Sequence, residues 1–245
     1  MTDIDLYEQS ADKYEELQEK RPDYVYARKA FLDLVSTYFL NKGPLVIADF
    51  CCGTGNNSLL ITQRFPVKKV TLIDINKQFL DIAIKSGIHS SEIIPVQSDI
   101  LKVELKGEHD LVISMFAYHH VPDQDKQKYI EIAKDALKVG GILLLGEIYS
   151  PDKHTTLRYY DFLLSCIDPK IRTPELQKFL KQTAESDEFE YKVSQKFAHN
   201  QLISAGFKLI GGVDRIWPYL TIPQDLVFSK DVGTFVEVWQ LTENI

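Results

Sequence analysis

From Leu45 onward, short apolar runs alternate with stretches of helical period. The pattern predicts strands over Leu45–Phe50, Lys69–Asp74, Ile93–Gln97, Leu111–Met115 and Ile142–Glu147. Helices are expected between them over Asn57–Arg64, Asn76–Ser86 and Gln124–Leu137. The last carries Tyr129, Ile130, Ala133, Ala136 and Leu137 at helical spacing, with Gly140-Gly141 as its stop. Strands alternating with crossover helices specify an α/β fold, a doubly wound and mostly parallel sheet of about seven strands.

The flanks read differently. Leu6, Tyr7, Tyr14 and Leu17 recur among acids in an amphipathic N-terminal helix, which Pro22 breaks. A second helix follows over Tyr24–Leu40, apolar at Ala27, Ala30, Phe31, Leu34, Val35 and Tyr38, and stopped by Asn41-Lys42-Gly43-Pro44. Between Ser150 and Ser194 the alternation stops, and Leu157, Tyr160 and Leu164, then Leu176, Phe179 and Leu180, mark two helices of an inserted cap. A helix over Gln195–Ala205, a strand over Phe207–Ile216 and a last run over Phe235–Leu241 close the chain. The two final runs are expected to pair as an antiparallel edge.

Composition narrows the class. With 44% hydrophobic and 26% charged residues in 245, the chain suits one substantial core. Its apolar runs are too short for a membrane span, and its acidic start lacks the features of a secretory signal, so the expected location is cytoplasmic. Twenty-eight basic against 35 acidic residues give a net charge of −7, which argues against non-specific nucleic-acid binding. Cys51, Cys52 and Cys166 form neither a disulfide framework nor zinc spacing, so reduced thiols and no metal are expected.

The chemistry-bearing stretch runs from Val46 to Asn57, a strand ending in Asp49-Phe50-Cys51-Cys52-Gly53-Thr54-Gly55 and opening a helix. Glycines there let a ligand approach the backbone. Asp74 ends the next strand and Asp99 follows the third. A carboxylate at the second tip can accept two ribose hydroxyls, and one at the third can receive an adenine amino group. Asp49 is expected to hold the amino-acid end of such a ligand, directly or through water. A nicotinamide dinucleotide could use the same turn, but its fingerprint wants glycine where Ser58 stands and leaves Asp99 without a role.

In this set the chain resembles the class I S-adenosylmethionine-dependent methyltransferases. Asp49 to Gly55, Asp74, Ser98-Asp99-Ile100, His109 to Ser114, Tyr118 to Asp123 and Leu137 to Gly141 match that family's elements in order, over roughly residues 45 to 147. The family usually has glycine where Cys51 stands. The resemblance implies a Rossmann-like methyltransferase fold and S-adenosyl-L-methionine as cofactor. The implied site has Cys51, Gly53 and Gly55 in the turn, Asp74 on the ribose and Ile75 on the adenine face. Asp99 meets the adenine amino group with Ile100 beside it, Ser114, Met115 and Phe116 line the methionine side, and Tyr14 folds over the cofactor. The single domain divides into an N-terminal helical cover (1–43), a cofactor-binding core (44–149), the helical cap (150–194) and a C-terminal helix with closing strands (195–245).

A sulfonium methyl is already electrophilic, so transfer needs in-line positioning and exclusion of water, with a base optional. His119 and His120, after the fourth strand, are the catalytic candidates; His119 is preferred as base and His120 as the residue holding the loop. Glu147 and Tyr149 could face substrate or cap the fifth strand. The aromatic residues Tyr159, Tyr160, Phe162, Trp217 and Tyr219 read mainly as core, with Asp161 and His199 among them and Arg158 or Arg215 available for an acceptor carboxylate. The expected acceptor is a small molecule, methylated at O, N or C. The alternatives are alkylation of a tRNA base and a protein that binds S-adenosylmethionine without turnover; a homodimer is compatible with either.

Overall fold

A computed structural model of the chain describes residues 13–186, 190–213, 228 and 230–242. Residues 13–19 are helical, and helix α1 (Pro22–Phe39) follows. Pro22 does not merely end the preceding helix. It stands at the start of α1, where its missing N–H costs nothing and its fixed φ suits the first turn. α1 buries Ala27, Phe31, Leu32, Val35 and Phe39, and Asn41, at φ 67°, turns the chain out of the helix.

The core alternates β1 (Leu45–Phe50), α2 (Asn56–Thr62), β2 (Val67–Asp74), α3 (Lys77–Lys85), β3 (Glu92–Gln97), β4 (His109–Met115), α4 (Lys126–Ala136) and β5 (Leu137–Tyr149). The cap consists of α5 (Lys153–Cys166) and α6 (Pro174–Glu185). Helix α7 (Gln195–Ser204), β6 (Phe207–Val213) and β7 (Gly233–Leu241) complete the described chain. The remainder of the strand expected over Phe207–Ile216, and the candidates Arg215, Trp217 and Tyr219, lie outside the described residues.

Among the described residues seven strands form one sheet in the order β3-β2-β1-β4-β5-β7-β6. β1 pairs parallel with β2 and β4, whereas β7 runs antiparallel to both β5 and β6. The two final runs do pair, but only β6 is an edge. β7 is inserted against β5 and is buried along nearly its whole length. Helix α4 also stops earlier than expected: Leu137 is already extended, and Gly140-Gly141 lie inside the long β5, where the register with β4 slips between His109 and Leu111.

Two apolar layers sandwich the sheet. One contains α1 residues with Ile47, Leu72 and Val238; the other contains Phe50, Tyr118, Tyr129 and Trp239. The cap has its own core of Tyr159, Phe162, Leu163, Leu176 and Phe179, against which Tyr14, Leu17 and Phe116 pack. The N-terminal helix and the cap therefore close over the same end of the sheet. Among the described residues no helix is long and apolar enough to cross a membrane.

Candidate functional site

Because β1 to β4 are parallel, their C-terminal tips open on one edge, where an α/β sheet leaves a crevice for ligands. A cavity of about 530 Å³ fills it. Its floor is the turn after β1, in which Cys51 (φ 52°) and Gly53 (φ 52°) adopt left-handed backbone. For Cys51 this geometry costs about 1 kcal/mol that glycine would not incur. A Cβ on Gly53 would meet nothing within 4 Å, so the space above that peptide is open to a ligand.

Asp74 joins this turn to the tip of β2. Its Oδ2 accepts the Gly53 N–H and its Oδ1 the Asn76 N–H, both at 2.8 Å. Burial raises its pKa while these two N–H groups pull it back. The carboxylate is thus oriented, with lone pairs left for hydroxyl donors. Asp99 accepts the Leu101 N–H at 3.0 Å, capping the turn Ile100–Lys102. Asp74 and Asp99 both line the cavity, so each is a backbone cap and a cavity wall at once. Ile75, 60% exposed at the tip of β2, offers an apolar face beside the buried Ile100.

Tyr14 reaches over the cavity from the N-terminal helix, 5.4 Å from the ring of Phe79, and burial pushes its hydroxyl pKa upward. Tyr24 stacks on Phe116 at 5.5 Å, and both line the cavity with Met115. A Cβ on Gly146 of β5 would overlap the Met115 side chain, so the glycine makes room for it.

Three of the residues expected to hold the cofactor do not line this cavity. Asp49 is 1% exposed, and its Oδ2 accepts from Ser58 Oγ at 2.6 Å; burial raises its pKa to about 7. Ser114 is fully buried and bonded to the Tyr129 hydroxyl at 2.7 Å, because its side chain points into the helix layer. Gly55, at φ 74°, is a packing residue: a Cβ there would lie 2.8 Å from Ala83 Cβ of α3.

The two histidines separate. His120 lines the cavity, whereas His119 does not; it is buried in the turn Tyr118–His120 and opens on a second recess of about 20 Å³ under the cap. His119 Nδ1 faces Glu147 Oε2 at 2.6 Å. Glu147 also accepts N–H groups from Tyr118 (2.9 Å) and Ile148 (3.2 Å), so Nδ1 carries the hydrogen and Nε2 keeps its lone pair. Burial, reinforced by His120, holds the His119 pKa well below the usual histidine range. Burial likewise lifts Glu147 to about 7, with Lys126 opposing.

Several site residues carried no signal in the sequence pattern. Lys126, fully buried, donates to the carbonyls of Tyr118 (3.0 Å) and Val121 (2.5 Å), bracketing both histidines. Arg21 pairs with Asp23 at 2.7 Å and lines the recess with Glu190 and Tyr160. Glu15 lines the main cavity and bonds Thr54 Oγ1 and Asn56 Nδ2. Each sits in a run of charge that reads as a solvated face. His119, His120 and Glu190 place donor atoms within 4.8 Å of one another, as a metal would require. The Lys192 ammonium already neutralises Glu190, however.

The remaining candidates are structural. Tyr149 donates to Glu237 at 2.9 Å, and His199 Nε2 lies 2.7 Å from the same carboxylate. Phe162 is cap core, Tyr159 bonds Thr234, and Arg158 lies 5.5 Å over the Phe228 ring. Asp161 is exposed.

Residues 47–141 match the family model described as a methyltransferase domain. Over that stretch the chain carries a methyltransferase domain. It is similar to a demethylmenaquinone methyltransferase of Chlamydia pneumoniae, 25% identical over 178 residues, 70% of this chain and 76% of that one. A malonyl-[acyl-carrier protein] O-methyltransferase of Priestia megaterium is 26% identical over 83 residues, 34% of this chain and only 30% of that enzyme. Among solved structures, a putative methyltransferase of Haloferax volcanii in complex with the Trm112 methyltransferase activator superposes with a TM-score of 0.65 at 12% identity, over 98% of both chains.

The methyltransferase cavity fits S-adenosylmethionine. Open space over Gly53, the oriented carboxylate of Asp74, the exposed face of Ile75 and Asp99 at the third tip supply what a nucleoside with a charged tail requires. When bound, the cofactor supplies an electrophilic methyl group.

Proposed function

We propose that this methyltransferase passes the methyl of S-adenosylmethionine to an oxygen, nitrogen or carbon of a small-molecule acceptor whose reacting group enters the recess under the cap. The observation that carries this reading is the pair Glu147–His119: the carboxylate fixes Nδ1–H, and Nε2, 3.6 Å from Glu190 Oε2, belongs to a side chain that lines the recess. Such a pair orients a base and stabilises the imidazolium formed when it takes a proton.

The main cavity and the recess share Tyr14, Phe116 and His120. An acceptor in the recess therefore adjoins the cofactor's space across these three side chains, and the cap residues Tyr160 and Phe179 shield it from water. His120, with its ring 4.2 Å from that of His119, positions the acceptor between the two spaces. A recess of about 20 Å³ suits a small polar group and not a flipped base, which favours the small molecule over tRNA.

The test is S-adenosylhomocysteine release from a panel of phenols, carboxylic acids, amines and acidic carbon compounds. Turnover with one of these, abolished in His119→Gln, supports the reading. Cofactor binding without turnover across the panel favours a binding module.

A further inference from the structure

S-adenosylmethionine carries an α-ammonium group, and an ammonium in a cavity needs a carboxylate or several carbonyl oxygens. Asp49, the acid nearest the turn in sequence, lies outside the cavity and spends its Oδ2 on Ser58. Of the acids lining the cavity, Asp74 and Asp99 sit at the tips of β2 and β3, and Asp125 follows Pro122 at the start of α4. Glu15 is the lining acid that stands on the turn after β1.

We infer that Glu15, brought in by the N-terminal helix, is the residue that receives the ammonium of the cofactor's amino-acid tail. This rests on the cavity being the S-adenosylmethionine site. The Glu15 side chain is 30% exposed, so its carboxylate is neither sealed in the core nor fully in water. One oxygen accepts from Thr54 Oγ1 and the other from Asn56 Nδ2 at 2.9 Å, which aims both at the turn where the open space over Gly53 begins. Arg28 lies 3.9 Å from Oε2, beyond hydrogen-bond range, and is not among the cavity-lining residues. The carboxylate therefore keeps lone pairs for a further donor. The same contact gives the N-terminal helix a function, because the helix that carries Glu15 also carries Tyr14 over the cavity. A bound ammonium would draw both residues onto the site.

The test compares two ligands that differ in the tail alone. Calorimetry would measure S-adenosylmethionine and 5′-methylthioadenosine, which has the nucleoside and sulfur without the amino-acid chain, against wild type, Glu15→Gln and Glu15→Ala. The expected result is a loss of about 10- to 100-fold in affinity for S-adenosylmethionine in both variants, as for a charged hydrogen bond removed, with the affinity for 5′-methylthioadenosine unchanged. Unchanged affinity for both ligands, or an equal loss for both, would overturn the assignment. If wild type bound neither ligand, the cofactor reading itself would fail, which is a separate outcome. Retained 5′-methylthioadenosine binding also certifies that each variant is folded.

Discussion

His119 and Glu147 stand 2.6 Å apart, Nδ1 to Oε2, on the turn after β4 and on the buried end of β5. β4 and β5 are hydrogen-bonded neighbours in parallel register, with Ser114 opposite Leu145 and Met115 opposite Gly146. The sheet itself therefore sets this distance. Lys126 reinforces it by holding the carbonyls on either side of the histidine pair.

If this pair serves the reaction, His119→Gln lowers kcat by about 10²-fold or more, the usual contribution of a positioned base. S-adenosylmethionine affinity stays within about twofold, since His119 does not line the main cavity. The acid limb of the rate profile belongs to Glu147, which must be ionised to accept Nδ1–H. With its pKa raised to about 7, the rate falls as pH drops through that value, and Glu147→Gln flattens the limb. Steady-state kinetics from pH 5.5 to 8.5, roughly the window in which such shifted groups titrate, with a calorimetric check of cofactor binding, decides this.

Asp49 gives a stability prediction of definite sign. Its folded pKa, about 7, lies above the ordinary 3.8, so the native state binds the proton more tightly than the unfolded chain does. The stability it contributes is complete below about pH 4 and is lost as pH rises through about 7. Asp49→Asn removes this penalty. Its thermal midpoint should exceed wild type at pH 8 and match or fall below it at pH 5. Scanning calorimetry at the two values tests the sign, and unchanged cofactor affinity tests the separation of Asp49 from the cavity.

Gly55→Ala should be severely destabilising, by about 2–4 kcal/mol. The new Cβ meets Ala83 at 2.8 Å, and φ stays at 74°, where alanine is disfavoured. Denaturant unfolding measures it. A loss under about 0.5 kcal/mol would mean that the turn does not pack on α3 this tightly.

Much of the fold was legible because the parallel strands β1, β2 and β4 are largely buried and read as compact apolar runs, and β1 to β4 fall within two residues of their expected bounds. β7 was the harder case. Glu237 in its middle suggests an edge, yet His199, Gln195, Tyr149 and Trp239 satisfy that carboxylate inside the sheet. Asp74 and Asp99 were legible as strand-tip acids.

Asp49 looked the same and is not. It still lies within β1, opposite Leu72 and Ile113, so the pleat turns it toward Ser58. Adjacent histidines in a turn with three residues per repeat point about 120° apart. One must face inward, and only the loop's conformation decides which. Glu15 and Lys126 were hidden for a different reason: a single charge in a charged run has no periodicity to betray that it is buried or faces a cavity.

The most direct test of the cofactor site is calorimetric titration of wild type and Asp74→Asn with S-adenosylmethionine, S-adenosylhomocysteine and a nicotinamide dinucleotide. Asp74 holds the Gly53 peptide, and on the proposed reading its remaining lone pairs would receive the ribose hydroxyls. Wild type should bind the first two ligands and not the third, and the variant should bind them about 30-fold or more weakly, about 2 kcal/mol for a charged acceptor lost. Binding of the dinucleotide instead, or equal affinities in wild type and a folded variant, would contradict the site described above.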